Sequence, residues 1–329
     1  MTRYAVVASN SFSGGYCVDA LLDRPGVKVL GVSRSPEKSD LFLPYKRRSN
    51  AVFEFQQLDL NTQTKELWAA FDAFKPEVVV NFAAQGEVGS SWKYPEHWFE
   101  TNTVGIVKLT NGLKDRDYLK RYVHISTPEV YGSVENEATE NTPLNPSTPY
   151  ASSKAAGDMF VANLVKQYEF PAVTIRSTNV YGIHQQLYRI IPRTIMAIKK
   201  GNRVQLHGGG KAAKAYIHIR DVIDGTLKAA DNGRVGECYH LSPDGDITIA
   251  ELVRRVCELM NADYDKVVEI VPDRPGQDAR YSISSRKART ELGWKPAIAL
   301  DDGLHEMVGW FDKDWDRLSR ETVEYVHNI

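Results

Sequence analysis

The sequence predicts an α/β protein, with a doubly wound parallel sheet followed by a smaller mixed α/β lobe. Two features support this prediction. Short runs of β-branched and aromatic residues alternate with amphipathic stretches through the first half of the 329-residue chain, as in βαβ units. After residue 178 this alternation loosens. The chain also exceeds the roughly 150 residues of a typical domain, so we expect two domains.

The strands of the first half are apolar runs bounded by turn residues. Pro25-Gly26 forms the turn before the second run, and Val78-Val79-Val80 is the strongest part of the fourth. The predicted strands cover residues 4–8, 27–33, 52–57, 78–82, 122–126 and 172–176. Helices are predicted between them at 14–22, 62–74, 99–113 and 150–168. Pro76 ends the second of these helices, because proline cannot continue a helix.

The second half gives weaker signals. Helices are predicted at 190–200, 221–230 and 249–260, a strand at 216–219, a glycine loop at 208–210 and an irregular segment at 272–293. We therefore expect a first domain of residues 1–178, with a returning segment at about 216–236. Residues 179–215 and 237–329 then form the smaller lobe.

Composition narrows the class of protein. The chain has 41 basic and 42 acidic residues and a net charge of −1, so overall charge indicates neither nucleic acid nor a membrane surface as a partner. Cys17, Cys238 and Cys257 include no CxxC pair, which argues against a disulfide framework and a zinc site. The histidines show no metal-ligand spacing, so no metal is expected. With no secretory signal and no apolar run of about 18 residues, we expect a cytoplasmic protein.

The loop after the first strand carries a weak dinucleotide signal. Dinucleotide folds place G-x-x-G-x-x-G here, where glycines let the backbone approach a pyrophosphate at the helix N-terminus. In the run Ala8-Ser9-Asn10-Ser11-Phe12-Ser13-Gly14 only the last motif position is glycine, and a plain strand–loop–helix is the alternative. The candidate cofactor contacts are Ala8, Asn10, Ser11, Phe12, Ser13 and Gly14.

Three further strand ends offer contacts for the same cofactor. Ser33-Arg34-Ser35 lacks the acidic residue that bonds a ribose 2′-hydroxyl, which favours NADP⁺ over the alternative, NAD⁺. A solvated loop charge is the other interpretation of Arg34. Asp59-Leu60 is placed to hold an adenine, and Ala83-Ala84 offers small residues where a cofactor would pass.

The sharpest chemical signal is Tyr150-Ala151-Ser152-Ser153-Lys154. Tyrosine and lysine four residues apart lie on one face of a helix. An ammonium beside a phenol lowers the pKa of the phenol, and a phenolate is a suitable base for an alcohol that must lose a hydride. The preceding strand ends at Thr127, which is expected to place a hydroxyl beside Tyr150.

These motifs resemble those of the extended short-chain dehydrogenase/reductases. The resemblance lies in Ser-Thr-Pro-Glu-Val-Tyr-Gly at 126–132 and Pro-Tyr-Ala-Ser-Ser-Lys-Ala-Ala at 149–156. Segments 176–182, 273–281 and 291–296 extend it over essentially the whole chain. Within this superfamily the chain is most similar to the nucleotide-sugar dehydratases, especially the dTDP-glucose 4,6-dehydratases, with some features of the GDP-mannose 4,6-dehydratases.

The resemblance implies a Rossmann-type fold, a lobe that binds a nucleotide-diphosphate sugar, and a homodimer formed through helices 99–113 and 150–168. It also implies that Tyr150 removes the proton of the sugar C4 hydroxyl while hydride passes to NAD(P)⁺. Glu129 then takes the C5 proton and the C6 hydroxyl leaves as water. Hydride returns to C6 and gives a 4-keto-6-deoxy sugar. Thr127 bonds the C4 oxygen, and Lys154 also holds the nicotinamide ribose.

Further site residues follow from the same resemblance. Asn102 is expected to support the cofactor site, or else to make an ordinary polar contact of its helix. The residues expected at the nucleotide sugar are Gln85, Asn179, Lys214 and Arg274.

The chain departs from the family in three places. Pro128 replaces the aspartic acid that protonates the departing hydroxyl in dTDP-glucose 4,6-dehydratases, and proline has no proton to donate. Gly89-Ser90 stand where the family has Asp-Arg. Lys214 stands where an arginine binds the diphosphate, and lysine supplies charge without the bidentate fork.

Three alternative functions therefore stay open. An NDP-sugar 4-epimerase would leave Glu129 without a role. An NDP-glucuronate decarboxylase needs a cation for the substrate carboxylate, and the sequence offers no clear candidate. A non-enzymatic dinucleotide sensor is supported by the altered glycine loop, but it has no use for Thr127, Glu129, Tyr150 and Lys154 together.

Overall fold

A computed structural model describes residues 1–48, 52–134, 136–273 and 282–327. The strands are β1 (Thr2–Val7), β2 (Val27–Ser33), β3 (Phe53–Gln57), β4 (Val78–Asn81), β5 (Arg121–Ile125), β6 (Ala172–Ser177), β7 (Asn179–Tyr181), β8 (Val204–His207), β9 (Ala213–Lys214), β10 (Tyr216–His218), β11 (Cys238–Leu241), β12 (Ile247–Thr248) and β13 (Val268–Val271).

The helices pack around these strands. They are α1 (Phe12–Leu22), α2 (Thr64–Phe74), α3 (Val88–Ser91), α4 (Pro95–Phe99), α5 (Ile106–Lys114), α6 (Pro149–Tyr168), α7 (Ile190–Lys200), α8 (Ile219–Asn232), α9 (Ile249–Leu259), α10 (Tyr264–Val267), α11 (Arg286–Glu291), α12 (Leu300–Lys313) and α13 (Trp315–Leu318). Short 3₁₀ turns cover Pro44–Arg47, Pro128–Tyr131 and Gly208–Gly210, and a π-helical turn covers Glu100–Gly105. Within the described ranges, no helix has both the length and the apolar character that crossing a membrane requires.

Seven parallel strands form the main sheet in the order β11-β6-β5-β4-β1-β2-β3. The predicted doubly wound α/β fold is therefore confirmed. The chain leaves β1 toward β2 on one side and returns through β4 on the other, with Val7 opposite both Val32 and Asn81. Where the strand order reverses in this way, a crevice opens at the carboxyl ends of the strands.

Alternating residues of the central strands bury opposite faces of this sheet, as the period of two in a strand requires. Val6 and Val29 belong to the apolar cluster on one face, and Ala5 and Leu30 to the cluster on the other. A separate cluster, which includes Ile195, Leu252 and Phe311, forms the core of the second lobe.

Most predicted bounds differ from the observed ones by one or two residues, and those of β2 and α7 agree. The helix predicted at 99–113 is instead divided, because the π turn at Glu100–Gly105 separates α4 from α5. Such turns accommodate an extra residue per turn and are frequent at functional sites.

Two expectations for the second half are corrected. β11 pairs with β6 in the main sheet, so the returning segment extends beyond residue 236. The segment expected to be irregular contains α11, whose Ala288 packs with Leu292 and Trp294 on the core of the main sheet. Both elements include polar residues whose partners lie far away in the chain: His240 of β11 bonds the Tyr131 hydroxyl at 2.7 Å. Contacts between such distant residues cannot be predicted from the local pattern of the sequence.

Candidate active site

A cleft of about 520 Å³ lies at the carboxyl edge of the sheet, between the sheet and the second lobe. Residues 11–13 after β1, 86–89 after β4 and 126–129 after β5 line one side. Segment 177–193 and parts of β8, β9 and β10 line the other. The cleft thus lies where a doubly wound sheet binds its ligands.

Three of the four predicted catalytic residues line this cleft: Thr127, Glu129 and Tyr150. Thr127 also caps the 3₁₀ turn that begins at Pro128, because its Oγ1 accepts a hydrogen bond from the Glu129 backbone N–H at 3.3 Å. Thr127 also lies near enough to Tyr150 for its hydroxyl to lower the pKa of the phenol. The structure thus brings a hydroxyl near Tyr150 and places Glu129 in the same cavity.

The Lys154 ammonium is not directed at the Tyr150 phenol as predicted. Its ammonium is only 2 % exposed and donates to the Ile125 carbonyl at 2.6 Å. Burial raises the pKa of Tyr150, the Glu129 carboxylate raises it further, and the nearby Thr127 hydroxyl only partly opposes them. The expected lowering of the Tyr150 pKa by Lys154 is therefore wrong for this structure, in which the phenol is held in its neutral form.

A buried polar network lies behind these residues and centres on Asp158, one turn after Lys154 in α6. Its carboxylate accepts hydrogen bonds from Ser126 Oγ at 2.6 Å, His124 Nε2 at 2.9 Å and an Arg176 amino group at 2.7 Å. Burial alone would raise the pKa of Asp158, but the bond from His124 and the Arg176 charge hold it below its usual range. This network fixes the end of β5 against α6.

Burial lowers the pKa of Lys154 to about 8, with the Asp158 charge opposing part of the effect.

Asn102 supports the cleft from the π turn. Its amide oxygen accepts from the Gln85 backbone N–H at 2.8 Å, and its amide nitrogen donates to the Gln85 carbonyl and to Ser153 Oγ, both at 3.0 Å. Both amide hydrogens are thus used inside the protein. This geometry fits the supporting role and leaves no hydrogen of Asn102 for the predicted contact with a cofactor.

The β1–α1 loop has the shape of a phosphate-binding loop despite its sequence. Ser11 caps α1 by accepting from the Gly14 N–H at 3.1 Å, and the first turn of α1 carries no acidic residue. A Cβ at Gly14 would lie 2.1 Å from the Ala8 carbonyl oxygen, so only glycine fits there. Ala8 itself adopts a left-handed φ of 60°, a conformation that glycine takes without strain.

This loop can accept a dinucleotide pyrophosphate. The helix N-terminus supplies unpaired backbone N–H groups and a partial positive charge, and no carboxylate opposes an anion there. Phe12 and Ser13, at the start of α1, line the cleft.

The tip of β2 is held by Asn10. Its side-chain amide donates to the Ser35 carbonyl at 2.8 Å and the Pro36 carbonyl at 2.9 Å, and its backbone N–H donates to Ser33 Oγ at 3.1 Å. Asn10 and Ser33 therefore stabilise the loop from its buried side. Arg34, which follows Ser33, is partly exposed.

The other predicted cofactor contacts lie at the neighbouring strand ends. Asp59 accepts from the Asn61 N–H at 2.7 Å, and Leu60 is buried beside Gly105. Ala83 donates its N–H to the Asn81 side chain at 3.0 Å, and Ala84 is exposed.

The predicted sugar-binding residues are only partly brought together. Asn179 and Lys214 line the cleft from opposite strands of the second lobe. Gln85 is buried behind the lining, which contains its neighbours Gly86 and Glu87 instead. Arg274 lies outside the described residues.

Sequence reasoning missed Arg189, the residue immediately before α7. Its guanidinium is exposed to the cleft. Partial burial in the cleft lowers the pKa of Arg189, but the charges around it, including the Glu87 and Glu129 carboxylates, raise it overall. The available signal was a basic residue at the start of the predicted helix 190–200.

Two further polar side chains at the cleft were also missed. Thr178 and Gln185 are 2 % and 5 % exposed, and the Thr178 hydroxyl and the Gln185 amide oxygen have no partner in the described part of the chain. Buried polar atoms are normally satisfied, so these two are suited to bonding a ligand. Within the same ranges, no cluster of three or more His, Cys, Asp or Glu residues is arranged to hold a metal ion.

Comparisons with known proteins agree with this geometry. The GDP-mannose 4,6 dehydratase family profile matches residues 10–307. A dTDP-glucose 4,6-dehydratase of Streptomyces niveus is 36% identical over 236 residues, which cover 71% of this chain and 70% of the relative. The dTDP-glucose 4,6-dehydratase of Haemophilus influenzae is 28% identical over 94% of this chain and 98% of its own.

Solved structures give the same result. The dTDP-glucose 4,6-dehydratase of Streptomyces venezuelae with NAD and TYD bound has a TM-score of 0.89 and 28% identity, covering 96% of this chain and 98% of its own. A UDP-glucose 4-epimerase of Thermotoga maritima, at 24% identity and a TM-score of 0.87, shares the fold. The resemblance inferred from the motifs is confirmed, and the chain belongs to the GDP-mannose 4,6-dehydratase family of nucleotide-sugar dehydratases.

Proposed function

We propose that the protein is an NDP-hexose 4,6-dehydratase that converts a nucleotide-diphosphate sugar into its 4-keto-6-deoxy form. One observation carries the proposal: Thr127, Glu129 and Tyr150 line the same cavity, with Lys154 buried one turn further along α6. An epimerase would use Thr127, Tyr150 and the lysine but not the glutamate. A dehydratase has a role for all four residues.

Each residue has a chemical role in this proposal. Tyr150 receives the proton of the sugar C4 hydroxyl, and Thr127 holds the same oxygen. Lys154 is assigned to the nicotinamide ribose, because its ammonium has two donors besides the one used at the Ile125 carbonyl. Bound NAD(P)⁺ would supply the hydride acceptor and donor, held by the α1 N-terminus and the strand ends around it.

Glu129 is the proposed base for C5. A ketone at C4 acidifies the C5–H bond, and the Glu129 carboxylate takes that proton. Because Pro128 has no proton to give, we assign the protonation of the departing C6 hydroxyl to the same carboxyl group. The proton removed from C5 then leaves in the water molecule, and atoms and charge balance.

The proposed cofactor preference is NADP⁺. Arg34 at the tip of β2, with no acidic neighbour among Ser33 and Ser35, supports a 2′-phosphate at this position. The related structures with NAD bound support a nicotinamide dinucleotide in general. Equilibrium binding of NAD⁺ and NADP⁺ to the wild-type protein and to Arg34→Ala tests the preference: the variant should lose affinity for NADP⁺ alone.

Arg189 favours one alternative function. An NDP-glucuronate decarboxylase needs a cation for the substrate carboxylate, and Arg189 lies in the cleft near both Tyr150 and Glu129. A guanidinium binds a carboxylate bidentately.

Mass spectrometry of the purified protein with NDP-hexoses, NDP-N-acetylhexosamines and NDP-glucuronate separates the two functions. Loss of one water from a hexose supports the dehydratase and names its substrate. Loss of carbon dioxide from the glucuronate would transfer the assignment to the decarboxylases. An absence of any mass change across the panel would contradict both.

A homodimer is proposed through the π turn and α6. These elements pack closely, since a Cβ at Gly157 would lie 2.6 Å from the Asn102 carbonyl oxygen. Phe99 at the end of α4, Val104 in the π turn and Met159 in α6 are exposed by 39%, 38% and 54%. Large exposed apolar side chains on neighbouring elements support a protein partner.

Light scattering tests the dimer. Met159→Glu should give a monomer at concentrations where the wild type is a dimer, because a charge is costly in a desolvated interface. Ile270→Glu is the matched control, since Ile270 is 74% exposed on β13 of the other lobe. Equal effects of the two variants, or none from Met159→Glu, would exclude this interface.

A cytoplasmic location is also proposed. Cys17, Cys238 and Cys257 are all free thiols, as in proteins of a reducing compartment. Fractionation of the source cells tests this placement.

A further inference from the structure

The segment after α13 runs over the carboxyl edge of the main sheet. We call residues 322–327 the C-terminal strap. The His327 ring lies nearly parallel to the rings of Tyr94, His97 and Trp98, with centroid distances of 5.2, 5.2 and 5.1 Å. A 2.9 Å hydrogen bond joins His327 Nε2 to His97 Nδ1. Since Trp98 is fully buried, the strap is attached to the core of the protein.

The strap is also fixed where it begins. Arg317 of α13 donates to both carboxylate oxygens of Asp40, at 2.6 and 3.2 Å, and Asp40 lies in the loop that follows β2. Lys200 donates to the Ser319 carbonyl at 2.8 Å. Because the chain is anchored first on the loop after β2 and then on α4, the residues between the two anchors must cross from one to the other.

Tyr325 lies in the middle of this crossing. Its ring meets the edge of the Tyr188 ring at a centroid distance of 5.2 Å. Burial raises the pKa of Tyr325. Tyr188 and Glu87 raise this pKa further, whereas Arg34 and Arg189 lower it. Of these groups, Tyr188, Glu87 and Arg189 line the cleft.

The position of these contacts identifies what the strap covers. Asp40, which anchors the chain before the strap, follows β2, while the His97 cluster at the end of the strap follows β4, and β1 lies between these two strands in the sheet. The loop after β1 is the one shaped for a pyrophosphate. A segment that runs from the first anchor to the second therefore passes over the crevice in which a dinucleotide lies.

We propose that the C-terminal strap is part of the dinucleotide site, that Tyr325 closes the site beside Tyr188, and that the His97–His327 pair fastens the strap. The inference rests on the proposed function, because that function makes a dinucleotide the occupant. A phenol hydroxyl both donates and accepts, so it can bond a ribose hydroxyl or a 2′-phosphate. The strap keeps a cofactor that is regenerated in each turnover from leaving between turnovers.

The test is the rate at which preloaded NADH or NADPH leaves the full-length protein, followed by its fluorescence after a chase with excess oxidised dinucleotide. Tyr325→Ala and His327→Ala should each speed release by roughly tenfold, the effect of one modest contact. Val326→Ala, in the same segment and 61% exposed, is the matched control and should leave the rate unchanged. Melting curves verify that each variant is folded.

A double-mutant cycle tests the fastening. His97→Ala should speed release as much as His327→Ala, and the double variant should add little, because the two changes break the same contact. Unchanged or slower release in Tyr325→Ala and His327→Ala would overturn the proposal. Failure of every form, wild type included, to bind either dinucleotide would instead overturn the proposed function and remove the basis of this inference.

Discussion

The catalytic end and the dinucleotide end of the cleft are built in different ways. At the catalytic end, buried side chains converge on Asp158 and hold the end of β5 against α6. At the dinucleotide end, the backbone at Ala8 and Gly14 makes the site, and the C-terminal strap passes over it. Chemistry at the first end requires particular side chains. At the second end a backbone shape suffices, so different residues can produce it.

The largest expected effect tests the catalytic end. Glu129→Gln should lower formation of dehydrated product by about 10²- to 10⁴-fold, because a neutral amide cannot take the C5 proton. Reduction of the bound cofactor by substrate should persist. Product is measured by mass spectrometry and reduced cofactor by absorbance.

The control for this variant is Glu66→Gln, on the exposed face of α2. It should leave both readouts unchanged. Normal product formation by Glu129→Gln would remove Glu129 from the mechanism.

The next effect concerns stability. Asp158→Asn should reduce the free energy of unfolding by about 3–5 kcal/mol, because it leaves the buried Arg176 guanidinium without its counter-charge. Asp72→Asn breaks the ion pair with Arg116, in which Asp72 is 52% exposed, and should cost only about 0–1 kcal/mol. Urea unfolding compares the two, and equal losses would mean that the network around Asp158 adds no stability.

At the dinucleotide end we expect a smaller change in the free energy of unfolding, and of the opposite sign. Ala8→Gly should stabilise the protein by about 0.5–1 kcal/mol, because glycine adopts the left-handed φ of this position without strain. Ala20→Gly, within α1, should destabilise it by about 1 kcal/mol. If both glycines destabilise in urea unfolding, Ala8 is not strained.

The smallest effect is that of pH on the strap. Burial lowers the pKa of His327, and the neighbouring His97 and Arg34 lower it further. The docked strap therefore binds fewer protons than the free one, so docking is complete above about pH 6.5 and weakens as the pH falls. The other groups facing the pair are Tyr94, Tyr325 and Glu96, which is 4.0 Å from His97.

Dinucleotide release should accelerate modestly between about pH 7 and pH 5 in the wild type, measured by the same fluorescence chase. In His327→Ala the rate should be fast and nearly independent of pH over this interval. An equal pH dependence in the two proteins would assign it to another group.

The sequence was informative where a property is local. The bounds of β2 and α7 and the meeting of Thr127, Glu129 and Tyr150 followed from apolar runs and from one motif. β11 was missed because the partners of its buried His240, among them Tyr131 and Ser284, lie far away in the chain. Arg189, the strap and the raised pKa of Tyr150 likewise depend on contacts between distant segments, which no local pattern records.

The course of the strap has a practical consequence for handling the protein. A run of histidines added within a few residues of His327 would offer competing imidazoles to the aromatic cluster at Trp98. A tag before Met1 adjoins the amino end of β1, about 20 Å along the strand from the cleft. Measurements of cofactor exchange should therefore be made on protein purified by an N-terminal tag.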